Sequence, residues 1–167
     1  MRRAFSDGDL QGIDLQATSM SWNSTGSVLA VAYGRLDESG WCNITRAGCC
    51  LYHVFQRDFD AAKPQTFLET SSYLMSVCCH PEIPNLIVGG TFNGEVVVWD
   101  TSLEGEDRLI GTSAIDDYYH REPVVDVSWV YDFSFFLVYS ILVTHCVHLW
   151  FELIENYCCF TFFELST

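Results

Sequence analysis

Phe92-Asn93-Gly94-Glu95-Val96-Val97-Val98-Trp99-Asp100 is the stretch that decides the fold. Asn-Gly between apolar runs is a strong hairpin signal, because both residues accept positive φ. The valines after it are β-branched and fit a pleated, half-buried surface. Working outward, Leu86-Ile87-Val88-Gly89-Gly90 is an apolar run stopped by glycine, and Pro81-Glu82-Ile83-Pro84-Asn85 is a turn cluster. Before the turn, Leu74-Met75-Ser76-Val77-Cys78-Cys79-His80 is again strand-like. The order is strand, turn, strand ending in Gly-Gly, Asn-Gly turn, strand ending in Trp-Asp.

The same order stands upstream. Leu15 to Trp22 is strand-like, Asn23-Ser24-Thr25-Gly26 is a turn, and Ser27-Val28-Leu29-Ala30-Val31-Ala32-Tyr33-Gly34 is the apolar run. A loop follows from Arg35 to Gly48, then Cys49-Cys50-Leu51-Tyr52-His53-Val54. A third copy begins at Val124-Val125-Asp126-Val127-Ser128-Trp129. This alignment puts Trp22, His80 and Trp129 in equivalent places, 58 and 49 residues apart, and matches Tyr52-His53 to Trp99-Asp100, 47 residues apart. WD-type propeller repeats run about 40–45 residues with four strands each. A β-sandwich also spaces strands closely, but the repeated order of elements favours the propeller. The expected fold is all-β: a partial WD-repeat β-propeller of about two blades and the start of a third, with an atypical apolar C-terminal tail. The expected division is a short N-terminal segment 1–14, propeller blades 15–132, and a tail 133–167.

Composition narrows the function. The chain has 167 residues and a formal net charge of −14. Such a balance repels phosphate backbones, so no nucleic-acid partner is expected, and an anionic membrane surface is disfavoured for the same reason. The eight cysteines include three adjacent pairs, Cys49-Cys50, Cys78-Cys79 and Cys158-Cys159. Neighbours on a strand point to opposite faces, so reduced thiols acting as small core residues are the preferred reading. The start, Met1 to Asp9, shows no apolar segment behind its arginines, and the sequons at Asn23 and Asn43 are taken as accidental.

Chain character changes near residue 132. Residues 133–167 hold no Lys or Arg and only three acids, Glu152, Glu155 and Glu164. The run Phe133 to Phe151 approaches the ~20 apolar residues of a helical membrane span. His145 and His148 lie inside it, and no basic cluster flanks it. A buried strand, a run-on segment and a membrane anchor are the readings this leaves.

Candidate chemistry is sparse. Gly89-Gly90 lacks the following helix and lysine of a phosphate cradle. Cys78-Cys79-His80 and His145-Cys146-x-His148 lack zinc-ligand spacing. Asp116-Asp117 with His120 and Glu122 could do acid–base work only if they converged in a pocket; turn chemistry explains them better, with His120 hydrogen-bonding within a blade. Trp22, Trp99 and Trp129 are expected as buried structural residues. No catalytic, cofactor-binding or metal residue is assigned, and no enzyme activity is expected. The repeat positions singled out are Trp22, Tyr52, His80, Gly89, Gly90, Asn93, Gly94, Trp99, Asp100, His120 and Trp129.

Ser19-Met20-Ser21-Trp22-Asn23-Ser24-Thr25-Gly26-Ser27-Val28 and Ala32-Tyr33-Gly34-Arg35-Leu36-Asp37 resemble the opening blades of WD-repeat dynein intermediate chains. So do His80-Pro81, Gly89-Gly90, Phe92 to Asp100, and Asp116-Asp117 to Val124; together these segments span roughly residues 15–130. The resemblance is nearest to the intermediate chain of the cytoplasmic dynein of retrograde intraflagellar transport. It implies a non-catalytic motor subunit whose propeller grips the dynein heavy chain. Full-length members also bind dynein light chains and a second intermediate chain. It implies a cytoplasmic protein of the cilium and the microtubule cytoskeleton, acting in cilium assembly. Three departures stand out: little sequence precedes the first blade where a light-chain segment is expected, Tyr52-His53 replaces Trp-Asp, and the apolar tail replaces the end of the third blade. The chain thus resembles a truncated form. The competing expectation is a membrane-anchored WD-repeat adaptor using the tail. In the motor-subunit reading, the loops Arg35–Gly48 and Leu103–Glu122 are where contacts would concentrate.

Overall fold

The computed structural model describes residues 2–3, 15–35, 47–60, 62–113, 120, 122–132, 135–142, 146–154 and 157–164. They form thirteen strands in three antiparallel sheets. The first sheet runs β1 (Arg2–Arg3), β2 (Leu15–Trp22), β3 (Val28–Gly34), β4 (Ala47–His53) and β5 (Thr66–Thr70), each paired to the next. The second holds β6 (Leu74–Cys79), β7 (Leu86–Thr91), β8 (Val96–Asp100) and β9 (Leu109–Thr112), with a 3-10 turn at Gly105–Arg108 before β9. The third holds β10 (Val124–Asp132), β11 (Phe135–Leu142), β12 (Cys146–Ile154) and β13 (Tyr157–Glu164). Strand order follows chain order in every sheet, as in the blades of a propeller.

The run after residue 132, expected as a tail apart from the blades, therefore supplies three strands that pair in succession onto β10. Its aromatic and β-branched residues suit a pleated strand, and ladder pairing needs no Trp-Asp end. Among the described residues no helix is long and apolar enough to cross a membrane; the apolar run beginning at Phe133 instead contributes β11 and part of β12.

Sheet faces pack on one another. Between the first two sheets lie Ala30, Ala32, Cys49 and Leu51 on one side and Leu74, Val77, Cys79, Ile87, Val97 and Trp99 on the other. Between the second and third lie Val88, Val96 and Val98 against Val124 and Val127. Alternation along a strand splits two of the adjacent cysteine pairs: Cys49 and Cys50 join different clusters, as do Cys79 and Cys78. All four are free thiols.

Glycine leaves room both within the second sheet and between it and the third. A Cβ on Gly89 would stand 2.8 Å from Leu74 Cδ1 and 2.9 Å from the Trp99 ring. One on Gly90 would meet Val124 Cγ1 of the third sheet at 2.4 Å. The turn expected at Phe92-Asn93-Gly94 is a three-residue hairpin loop. Thr91 pairs with Glu95 through N–H to carbonyl at 2.9 Å, leaving a three-residue loop, and Gly94 takes φ +88°. This is the three-residue hairpin with a left-handed residue at its end. A Cβ on Gly94 would also lie 1.8 Å from the His120 carbonyl oxygen.

Gly94→Ala is therefore expected to cost at least ~1 kcal/mol and more than Gly26→Ala, where φ is +67° but no atom lies within 4 Å of the added Cβ. Chemical denaturation of both variants checks the order. Trp99→Ala removes a ring that is only 2% exposed and should destabilise by ~3–5 kcal/mol; melting within a degree of wild type would contradict this packing.

Candidate functional site

The pairing registers fix which residues of the three sheets are equivalent. Each first strand carries a bulge near its start: between Ala17 and Ser19, Leu74 and Ser76, and Val124 and Asp126. Counting onward from the bulge, Trp22 corresponds to Cys79 and Trp129. His80 corresponds to Asn23 and Val130. The sequence alignment of Trp22, His80 and Trp129 is thus one residue out of phase at His80. The likeness of two aromatic rings concealed the shift, because sequence spacing does not reveal which residue faces which neighbour. The match of Tyr52-His53 to Trp99-Asp100 holds: Val28 pairs with His53 as Leu86 pairs with Asp100.

The Asn23 and His80 pair shows why the corrected phase matters. Asn23 Oδ1 accepts the N–H groups of Ser27 and Val28, both at 3.0 Å. His80 Nδ1 accepts those of Glu82 and Ile83 at 3.1 and 2.9 Å. Two chemically different side chains thus close the same turn as acceptors. An accepting Nδ1 requires the neutral imidazole with its proton on Nε2, and burial pushes the His80 pKa down. Asn23 is itself buried, so it serves the turn and is poorly presented as a glycan acceptor.

The other repeat positions have defined places. Trp99 and Tyr52 are buried, and the Tyr52 hydroxyl lies 3.4 Å from that of Tyr33. Asp100 Oδ1 accepts the Ser102 N–H at 2.8 Å and its hydroxyl at 2.6 Å, a turn contact beyond the strand. Half-buried Asn93 sits on the loop before Gly94. The His120 N–H donates to the Gly94 carbonyl at 2.8 Å, tying the approach to the third sheet onto that loop; burial lowers the His120 pKa as well. Trp129 is half-buried, donates Nε1–H to the Cys78 carbonyl at 3.2 Å, and meets the His80 ring edge-on at 4.7 Å. Trp22 departs from the expectation of burial, at 53% exposure.

The sulfur and imidazole groups are committed elsewhere than to a common centre. Cys79 Sγ donates to the Ser21 carbonyl, and the Cys79 thiol is pushed up to about 11 by burial. Burial raises Cys49 and Cys78 too, which makes these thiols poor nucleophiles. Among the described residues no group of three or more potential ligands could hold a metal ion. Asp116 and Asp117 lie outside the described residues, as do the side chains of His145, Cys146 and His148.

Sequence reasoning passed over one exposed feature. The β4–β5 connection carries Phe55, 81% exposed, and Phe59, 41% exposed, within Phe55-Gln56-Arg57-Asp58-Phe59-Asp60. Two phenylalanines among charged residues, outside any apolar alternation, were the available signal. Of the loops singled out instead, residues 36–46 of the first lie outside the described residues. The second presents Leu103, Glu104, Glu106 and Asp107 to solvent.

Successive antiparallel sheets, one of five strands and two of four, packed face to face and bulged at a common point, define a partial WD-repeat β-propeller. Comparison with known proteins adds the family. The chain is 40% identical over 120 residues to mouse cytoplasmic dynein 2 intermediate chain 2, covering 72% of this chain and 22% of that protein. It is 32% identical over 129 residues to human dynein axonemal intermediate chain 2, covering 73% and 19%. It is 31% identical over 71 residues to Drosophila melanogaster cytoplasmic dynein 1 intermediate chain, covering 42% and 11%. No family model matches the chain. The protein is a partial segment homologous to the dynein intermediate chains, and it spans about a fifth of the length of the curated relatives it matches.

The two lowered histidines give a pH dependence. The unfolded chain takes up protons near pH ~6.5, where folded His80 and His120 do not. Stability is full above that value and is lost as pH falls below it. His80→Asn keeps the turn acceptor and removes one titrating group, so its stability should fall less than wild type between neutral and mildly acid pH. Parallel slopes in denaturant titrations would refute the assignment.

Proposed function

We propose that the chain is a non-catalytic subunit of a dynein motor that holds the dynein heavy chain by its blade surfaces. The observation that carries this reading is the 40% identity to a cytoplasmic dynein 2 intermediate chain over most of the chain. The fold suits a holding role, because stacked sheets present loops from a rigid base and binding residues concentrate on such loops. Phe55 and Phe59 are the anchors of the first blade, since exposed aromatics dominate protein interfaces energetically. The acidic loop around Glu104, Glu106 and Asp107 supplies the steering charge for a basic partner surface. Work in retrograde intraflagellar transport and cilium assembly, in the cytoplasm and the cilium, follows from the same kinship. Association with light chains and a second intermediate chain belongs to the full-length relatives in this reading.

Affinity purification of the tagged full chain from ciliated cells tests it, with partners read by mass spectrometry. Recovery of a dynein heavy chain is expected, weakened at least several-fold by Phe55→Ala with Phe59→Ala and by raised salt. Recovery of chaperones alone would refute the subunit reading. Heavy chain held equally by the double variant would remove the two phenylalanines as anchors.

A further inference from the structure

The first two blades carry different surfaces at their two ends. At one end lie the β2–β3 and β6–β7 turns and the β4–β5 and β8–β9 connections, and hydrogen bonds tie them together. Val54 N–H donates to the Ser27 carbonyl at 3.1 Å, and Thr101 N–H to the Asn85 carbonyl at 2.9 Å, each within one sheet. Ser24 Oγ donates to the Glu82 carbonyl at 3.4 Å and joins the two sheets. Outside β2 and β10, every exposed large apolar side chain among the described residues stands at this end: Phe55, Phe59, Ile83, Leu103 and Leu109. At the opposite end the described connections fold onto one another. Phe92 N–H donates to the Tyr73 carbonyl and His120 N–H to the Gly94 carbonyl, and Tyr73, Thr91, Ser113 and His120 are buried.

The apolar end is also acidic. Asp58, Asp60, Glu82, Glu104, Glu106 and Asp107 are exposed there, against exposed Arg57 and Lys63 and half-buried Arg108. Beside the β8–β9 connection a cleft of about 490 Å³ opens between the two sheets. Leu68, Trp99 and Leu109 are its apolar lining, and Glu69, Glu106 and Arg108 its polar lining. Apolar groups rimmed by carboxylates select a partner whose apolar row is flanked by lysine or arginine. Turns and connections present no ladder edge for a partner's main chain to join. The partner must therefore satisfy its own backbone groups, as a helix does.

We propose that this end of the first two blades seats a basic amphipathic helix of a partner protein, a step that rests on the holding role proposed above and gives the held segment its chemistry. The helix lays its apolar row across Phe55, Phe59, Ile83 and Leu103 and sets one large side chain in the cleft, as helices do in apolar grooves. Lysine and arginine on its flanks meet the surrounding carboxylates. Ile83 and Leu103 bring the second blade into the contact, so the helix spans the junction that Ser24 and Glu82 hold closed.

Fluorescence polarisation with the full chain tests the seat, using three labelled peptides of about five helical turns made from leucine, lysine and alanine. The first puts leucine on one face with lysine beside it, the second scrambles that composition, and the third replaces lysine with glutamate. The first should bind roughly ten-fold more tightly than the others and weaken as salt rises. Ile83→Asp with Leu103→Asp should weaken it about ten-fold or more. The added carboxylates attract lysine, so that loss reads apolar contact. Met20→Asp, at an exposed apolar position away from this end, should bind as wild type does. Equal binding of the scrambled peptide, or undiminished binding by the double variant, overturns the proposal. Capture of heavy chain from ciliated cells separates the seat from the holding role. Heavy chain recovered equally by wild type and the double variant overturns the seat and leaves that role standing. Peptide binding that the double variant loses, with no heavy chain recovered by wild type, supports the seat and removes the role.

Discussion

Everything in this chain depends on how closely one sheet can lie on the next. Backbone-to-valine contact sets that distance where Gly90 receives Val124 of the third sheet, while inside the second sheet Gly89 leaves room for the Trp99 ring and the Leu74 side chain. Neither sheet face is wide. A four-stranded blade has one row of side chains per strand on each side, so a single added methyl shifts the whole plane. Interiors at crystal-like density do not absorb such a shift locally. The Gly-Gly stop thus spaces β7 from the third sheet at Gly90 and makes room at Gly89 for side chains of its own sheet.

Spacing alone would leave the blades free to slide. Hydrogen bonds between inner strands fix their register. Thr18, Ser19 and Ser21 reach from β2 to the backbone of β6, and Ser76 reaches from β6 to β10. These are short side chains meeting backbone groups, with little rotamer entropy to lose. The bulge at the head of each inner strand re-aims the residues after it, as bulges do, so that three consecutive blades repeat the geometry despite sharing few residues. Asn23 and His80 make the point chemically. In the first two blades the position holds an acceptor of two turn N–H groups, an amide oxygen in one and a neutral imidazole nitrogen in the other. Only the imidazole makes the turn sensitive to acid.

Three strands of each of the first two blades, β2 to β4 and β6 to β8, were legible because apolar runs, Gly-Gly and turn clusters are local signals, whereas β5 and β9 carry no such signal. The Trp99 and Tyr52 correspondence was legible for the same reason. The phase at His80 was not, since a one-residue slip reverses every side chain yet hardly changes the spacing. Exposure of Trp22 was not legible either, because burial of that position comes from the preceding sheet and not from β2 itself. The segment after Asp132 is apolar at most positions, and a run of that kind does not distinguish strand from span by periodicity. Phe55 and Phe59 went unremarked because two exposed rings in a charged loop carry no period at all.

The same logic separates what the blades hold from what they offer. Inner strands are committed to their neighbours, and their polar groups and thiols are spent on backbone contacts. Burial that raises the Cys49, Cys78 and Cys79 thiols and lowers the two histidines keeps all five groups uncharged at neutral pH. An uncharged, fully engaged interior suits a rigid holder, because charge buried without a partner would cost several kcal/mol. The acids are carried on loops instead, as with Asp58, Asp60, Glu104, Glu106 and Asp107, where water solvates them. In the proposed holding role, selectivity for a partner resides in the loops, whose sequence can change without moving the blades.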